Sequence, residues 1–88
     1  VNKMMTVDGN YVAMNRKTYE ILELLVRNKE IIMTKQQIFD RIWGYYSTTG
    51  TSVIEINIFR LRKILAEYGL DSCLKTIKAT GYMWTEKI

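Results

Sequence analysis

Arg60, Arg62 and Lys63 crowd the second half of an uninterrupted stretch, residues 52–67. A guanidinium offers a planar fork of donors suited to a phosphate or another planar acceptor pair, and an ammonium offers a compact point charge. Grouped cations of this kind suit a polyanion. The residues for most other chemistries are missing. There is no histidine, the single cysteine (Cys73) has no candidate base beside it, and the nine carboxylates are scattered over helix faces and turns. No acid–base pair, metal-ligand spacing or glycine-rich phosphate loop can be assembled from them. The chain is therefore read as a binding module rather than an enzyme, with no cofactor.

The element that must carry the three cations is a helix. Ile54, Ile58, Leu61 and Leu65 recur at i, i+4, i+7 and i+11, an apolar stripe at helical period, and Gly69 follows as a stop. At ~100° per residue the opposite face carries Ser52, Ile56, Phe59, Arg60 and Lys63. Two bulky apolar residues on the face expected to be wet either pack on a neighbouring element or meet a partner.

The totals fit a small module. Eighty-eight residues with a 48% apolar fraction can close one modest core, and a net charge of +4 leans mildly towards polyanions. One cysteine allows no internal disulfide, which fits a reducing cytoplasm, and Cys73 is read as a small buried hydrophobe. No run is long and apolar enough to span a membrane, so no membrane partner is expected. The chain opens at Val1 directly into strand-like sequence, which is read as a piece of a longer protein.

In order, residues 4–7 and 11–14 are strand-like around Asp8-Gly9-Asn10, a turn signal, and predict a hairpin. Asn15 caps a helix over 16–28, with Ile21, Leu22, Leu25 and Val26 as its buried stripe. Residues 31–33 form a brief strand. Thr34 and Gln37 form a capping box that opens a second helix carrying Ile38, Phe39, Ile42 and Trp43 and stopping at Gly44. A loop over 44–51 leads to the long helix, capped by Thr51 or Ser52. Residues 74–79 and 82–86 form a second hairpin about Thr80-Gly81.

This order is the layout of a winged helix, and the residues resemble one family of them. Arg60-Leu61-Arg62-Lys63-Ile64-Leu65 is similar to the R-L-R-K-x-L that ends the recognition helix of OmpR/PhoB-type effector domains, the C-terminal domains of two-component response regulators. Ile42-Trp43-Gly44 looks like their V-W-G, and residues 76–82 like their T-V-R-G-x-G-Y wing. Residues 19–25 resemble their first helix. The likeness covers nearly the whole chain, in order and with the right spacings. It implies an α+β fold: a winged helix-turn-helix with N-terminal antiparallel strands, three helices and a C-terminal β-hairpin wing. It implies sequence-specific binding of double-stranded promoter DNA, often as two copies on a direct repeat, as the bacterial output domain of a response regulator. A receiver domain upstream, phosphorylated by a cognate sensor kinase, is implied too. The expected domain is 1–88, with the receiver outside it.

On that resemblance the helix at 52–67 lies in the major groove. Arg60 is the favoured base contact, bidentate to guanine, with a phosphate as the alternative; Asn57, at the margin of the face, can pair with adenine or meet water or a phosphate; Ile56 can touch a thymine methyl, and Val53 lies beside them. Ser52 at the helix start, Arg62, Lys63, Thr34, Lys35 and Thr76 are expected at the DNA backbone, with Arg62 alternatively pairing with a carboxylate such as Glu55. Lys78 on the wing reaches the adjacent minor groove or remains a solvated charge. The loop at 44–51 resembles one that can meet RNA polymerase, with Tyr45 and Tyr46 as anchors or tucked against helix ends. Several positions depart from the family pattern: Ser52, Phe59, Lys78 and Met83 replace Arg, Asn57 replaces His, and Ala79 replaces Gly. Fewer phosphate-binding cations imply weaker or more partner-dependent DNA binding. Two alternatives remain at this stage, a winged helix used mainly for protein contacts and the DNA-binding domain of a one-component regulator.

Overall fold

The computed structural model describes residues 3–7, 10–44 and 47–87, with side chains from Met14 onward. Strands β1 (Lys3–Val7) and β2 (Asn10–Met14) pair antiparallel from Lys3↔Met14 to Val7↔Asn10. The predicted turn at Asp8-Gly9 lies outside the described residues. Helix α1 (Arg16–Arg27) follows, capped by Asn15, whose side chain accepts from the Thr18 N–H at 2.9 Å. It buries Thr18, Ile21, Leu22 and Leu25. Val26, expected in that stripe, is exposed, because it lies at the edge of the apolar arc rather than within it.

The chain then turns at Glu30, which adopts φ 68° and donates its N–H to the Trp84 carbonyl at 2.8 Å. That turn corrects the strand expected over 31–33. Ile31 and Ile32 project outward, and the strand is β3 (Met33–Thr34), paired with β5 through Met33↔Tyr82 and Thr34↔Gly81. The capping box forms as the spacing requires: Thr34 Oγ1 accepts from the Gln37 N–H and Gln37 Oε1 accepts from the Thr34 N–H. Helix α2 (Lys35–Ile42) ends beside Gly44 at φ 96°. Its last turn stacks Phe39 on Trp43, centroids 5.7 Å apart.

Helix α3 (Ser52–Ala66) buries Ile54, Ile58, Leu61 and Leu65, the predicted stripe, against α1, α2 and the sheet. Thr51 occupies its N-cap without a side-chain cap bond. A 3-10 turn (Asp71–Cys73) places Cys73 in the core and leads into β4 (Leu74–Ile77), which pairs with β5 (Gly81–Trp84). The sheet order is β3-β5-β4. The wing turn is three residues long, 78–80, rather than the two expected at Thr80-Gly81, because Ile77 pairs with Gly81. Ala79 takes φ 61° in it, and the Thr80 N–H closes it on the Ile77 carbonyl at 2.9 Å. Gly81 is needed for room: a Cβ there would overlap the Met33 carbonyl in the neighbouring strand.

Candidate nucleic-acid interface

The outward face of α3 is built by subtraction. Its inner stripe is fully used by the core, so Ser52, Ile56, Phe59, Arg60 and Lys63 are left exposed on the other side. Ile56 is 51% exposed and Phe59 61%, which decides between packing and presentation: both are presented to solvent rather than buried in the core. Lys63 Nζ lies 4.9 Å from the centre of the Phe59 ring, a cation–π contact that steadies both at the surface. Arg60 and Ser52 are exposed, and Val53 is half-buried on the flank of the face.

Two of the expected contacts on α3 are spent elsewhere. Asn57 is 7% exposed and turned inward. Its Oδ1 accepts from Thr18 Oγ1 at 2.8 Å, and its Nδ2 donates to the Val53 carbonyl at 2.9 Å. A buried amide must be satisfied, and here α1 and its own helix take one acceptor and one donor position, which fixes Asn57 as a packing group at the margin of the outward face. Arg62 is likewise engaged within the domain. Its guanidinium donates to the Leu74 carbonyl at 2.6 Å and to Thr76 Oγ1 at 2.7 Å. It fastens α3 to β4 and thereby sets the wing relative to the helix. Thr76, read as a backbone contact, is the acceptor of that fastening. Glu55, the suggested partner of Arg62, instead pairs with Lys35, Nζ to Oε1 at 2.7 Å.

That ion pair changes the reading of Lys35 as well. It is held above its ordinary value of 10.5 by the Glu55 hydrogen bond, so it stays charged, but a carboxylate already lies against it. The Thr34 hydroxyl is occupied by the capping box. Lys78 is exposed at the tip of the wing, and among the described residues its ammonium has no partner. Tyr45 and Tyr46 lie outside the described residues.

Two open grooves of nearly equal size, about 540 and 510 Å³, run along the two flanks of α3. The first lies between the start of α2 and the wing and includes Thr34, Lys35, Glu55 and Thr76. The second lies between the start of α1 and α3 and includes Arg16, Lys17, Trp43, Val53, Ile56 and Arg60. Sequence reasoning did not find this second groove, since its cations are far apart in the chain. The one available signal was the cation pair beside the Asn15 cap.

The architecture and the motifs have counterparts in known proteins. Residues 9–84 match the family model described as "transcriptional regulatory protein, C terminal". The response regulator ArlR of Staphylococcus saprophyticus is 34% identical over 79 residues, covering 90% of this chain and 36% of that protein. The chain thus spans about a third of the length of the curated relatives it matches. Among solved structures, the C-terminal domain of the nisin resistance regulator NsrR superposes with a TM-score of 0.83 at 20% identity, covering 97% of this chain and 87% of that one. It shares the fold. The response regulator DrrB of Thermotoga maritima, an OmpR/PhoB homolog, superposes with a TM-score of 0.79 at 26% identity, covering 93% of this chain and 37% of that one.

Proposed function

Because this chain belongs to the C-terminal domain family of transcriptional regulatory proteins, we propose that it reads promoter DNA as the cytoplasmic output domain of a response regulator. The observation that carries the reading is the outward face of α3. It offers an exposed guanidinium, without a partner among the described residues, and two exposed apolar side chains on a helix held by the core. An α-helix fits the major groove of B-DNA, which is ~12 Å wide. There Arg60 donates its fork to guanine O6 and N7, and Ile56 meets a thymine methyl, which explains an exposed isoleucine at that position. Lys63 and Ser52 face the phosphates, and Lys78 at the wing tip reaches the adjacent minor groove. Arg62 acts by placing the wing rather than by touching DNA.

An upstream receiver domain, a sensor kinase that phosphorylates it, pairing of two copies on a direct repeat, and contact of the 44–51 loop with RNA polymerase complete the proposal. They rest on the family resemblance and the relatives' names.

Titration of the chain with a duplex selected by it from a random pool, and with a scrambled duplex, over a salt series tests the reading. DNA binding requires a steep fall of log K with log salt. Arg60→Ala is expected to cost ~1–3 kcal/mol on the selected duplex and to relax preference at one base. Equal losses on both duplexes would demote Arg60 to a phosphate contact. A winged helix used for protein contacts is the second reading, favoured by the exposure of Ile56 and Phe59. A flat salt dependence would select it.

A further inference from the structure

We propose that the groove between α1 and α3 holds the sugar-phosphate backbone bordering the major groove on the side away from the wing, with Arg16 as its phosphate-binding residue. The inference rests on α3 lying in that groove of the DNA.

A helix in the major groove has one strand's backbone on each flank, and α3 has an open groove on each flank. The two differ in charge. On the wing side, Lys35 is matched by Glu55 at 2.7 Å, so that groove carries its own counter-ion. The α1-side groove is lined by three cations, Arg16, Lys17 and Arg60, against one nearby carboxylate, Glu20, which meets Arg16 at 2.9 Å and Lys17 at 3.9 Å and leaves an excess of positive charge. An anion is better matched there.

The three cations have separate tasks. Lys17 is committed to the protein: Nζ donates to the Ile42 carbonyl at 2.8 Å and lies 5.2 Å from the centre of the Trp43 ring. It ties the end of α2 to the start of α1 and holds Trp43 as a wall of the groove. Arg60 sits where the groove opens onto the reading face. Arg16 has capacity to spare. Its Nε donates to Glu20 Oε1 at 2.9 Å, its side chain is 67% exposed, and its two terminal amino groups have no partner among the described residues. That leaves a guanidinium edge free for phosphate oxygens, oriented by the Glu20 contact. Val53 and Ile56 supply an apolar surface on the α3 side, which suits the deoxyribose between two phosphates. The groove is continuous with the reading face through Ile56 and Arg60, so the occupant is the same duplex.

The test compares wild type, Arg16→Ala, Arg16→Lys and Arg41→Ala on the selected and scrambled duplexes over a salt series. Arg41 is an exposed α2 cation that does not line this groove. Arg16→Ala is expected to make the slope of log K against log salt shallower by ~0.9, the value for one phosphate contact, equally on both duplexes. Arg16→Lys should restore most of it, and Arg41→Ala should leave it unchanged. An unchanged slope in Arg16→Ala, beside a steep wild-type slope, overturns the phosphate site and leaves the DNA reading standing. Equal losses in Arg16→Ala and Arg41→Ala also overturn it, by showing a bulk charge effect. Absence of salt-dependent binding in the wild type overturns the DNA reading itself, and this inference with it. A dimer in sedimentation that Arg16→Ala dissociates would assign the groove to a second copy.

Discussion

Single residues in this domain are held in states their chemistry would not choose alone. Ala79 takes φ 61° at the wing turn, a region that costs a non-glycine residue ~1–2 kcal/mol. Ala79→Gly relieves that strain, while the added freedom of the unfolded chain offsets part of the gain. A net stabilisation of ~0.5–1 kcal/mol is expected, read as a higher urea midpoint with unchanged DNA affinity. Glu30 is held below its ordinary value of 4.5, first by the Thr85 side-chain hydrogen bond and then by the Glu86 N–H. A carboxyl with a lowered folded pKa contributes stability that is present above the unfolded value and lost as pH falls through the folded one. Glu30→Gln should therefore shrink the fall in urea midpoint between neutral and acid solution, with its deficit appearing above 4.5 and vanishing below the folded pKa. A wild-type-like acid profile in the variant would remove Glu30 from the account.

At the scale of elements, what repeats along the chain was legible and what joins distant parts was not. The α3 stripe of Ile54, Ile58, Leu61 and Leu65, the Thr34–Gln37 capping box and the Asn15 cap follow from spacing and local chemistry, and each formed as expected. The bond between Thr18 and Asn57 could not be read from spacing, because the two are 39 residues apart. Arg62 was expected to have an alternative partner within the domain, but its acceptors are in β4 rather than Glu55, and they are fixed only once the hairpin folds back. Ala79 carried one signal, since it stands where the family wing has Gly, whereas the positive φ of Glu30 left no mark in the local sequence. The Arg62 fastening is testable at this scale. Arg62→Met removes two charge-assisted hydrogen bonds and should cost ~1–3 kcal/mol in unfolding free energy. The salt slope of DNA binding should stay as in wild type, because no phosphate contact is lost. A slope shallower by about one unit would return Arg62 to the DNA backbone.

For the whole molecule, one core joins the three helices to the β3-β5-β4 sheet. Leu61 is completely buried within the cluster that joins Leu25 of α1, Ile38 of α2 and Trp84 of β5. Leu61→Ala should cost ~2–5 kcal/mol. Helical and aromatic signals should still be lost together in one transition, as in a two-state domain. Separate transitions would divide the wing from the helices. The partition of α3 has a longer reach. Its inner side chains carry the fold, while Ser52, Ile56, Phe59, Arg60 and Lys63 make almost no contribution to the interior. After gene duplication those outer positions can drift with little penalty in stability, so under the proposed reading a daughter copy can acquire a new operator while inheriting an intact scaffold.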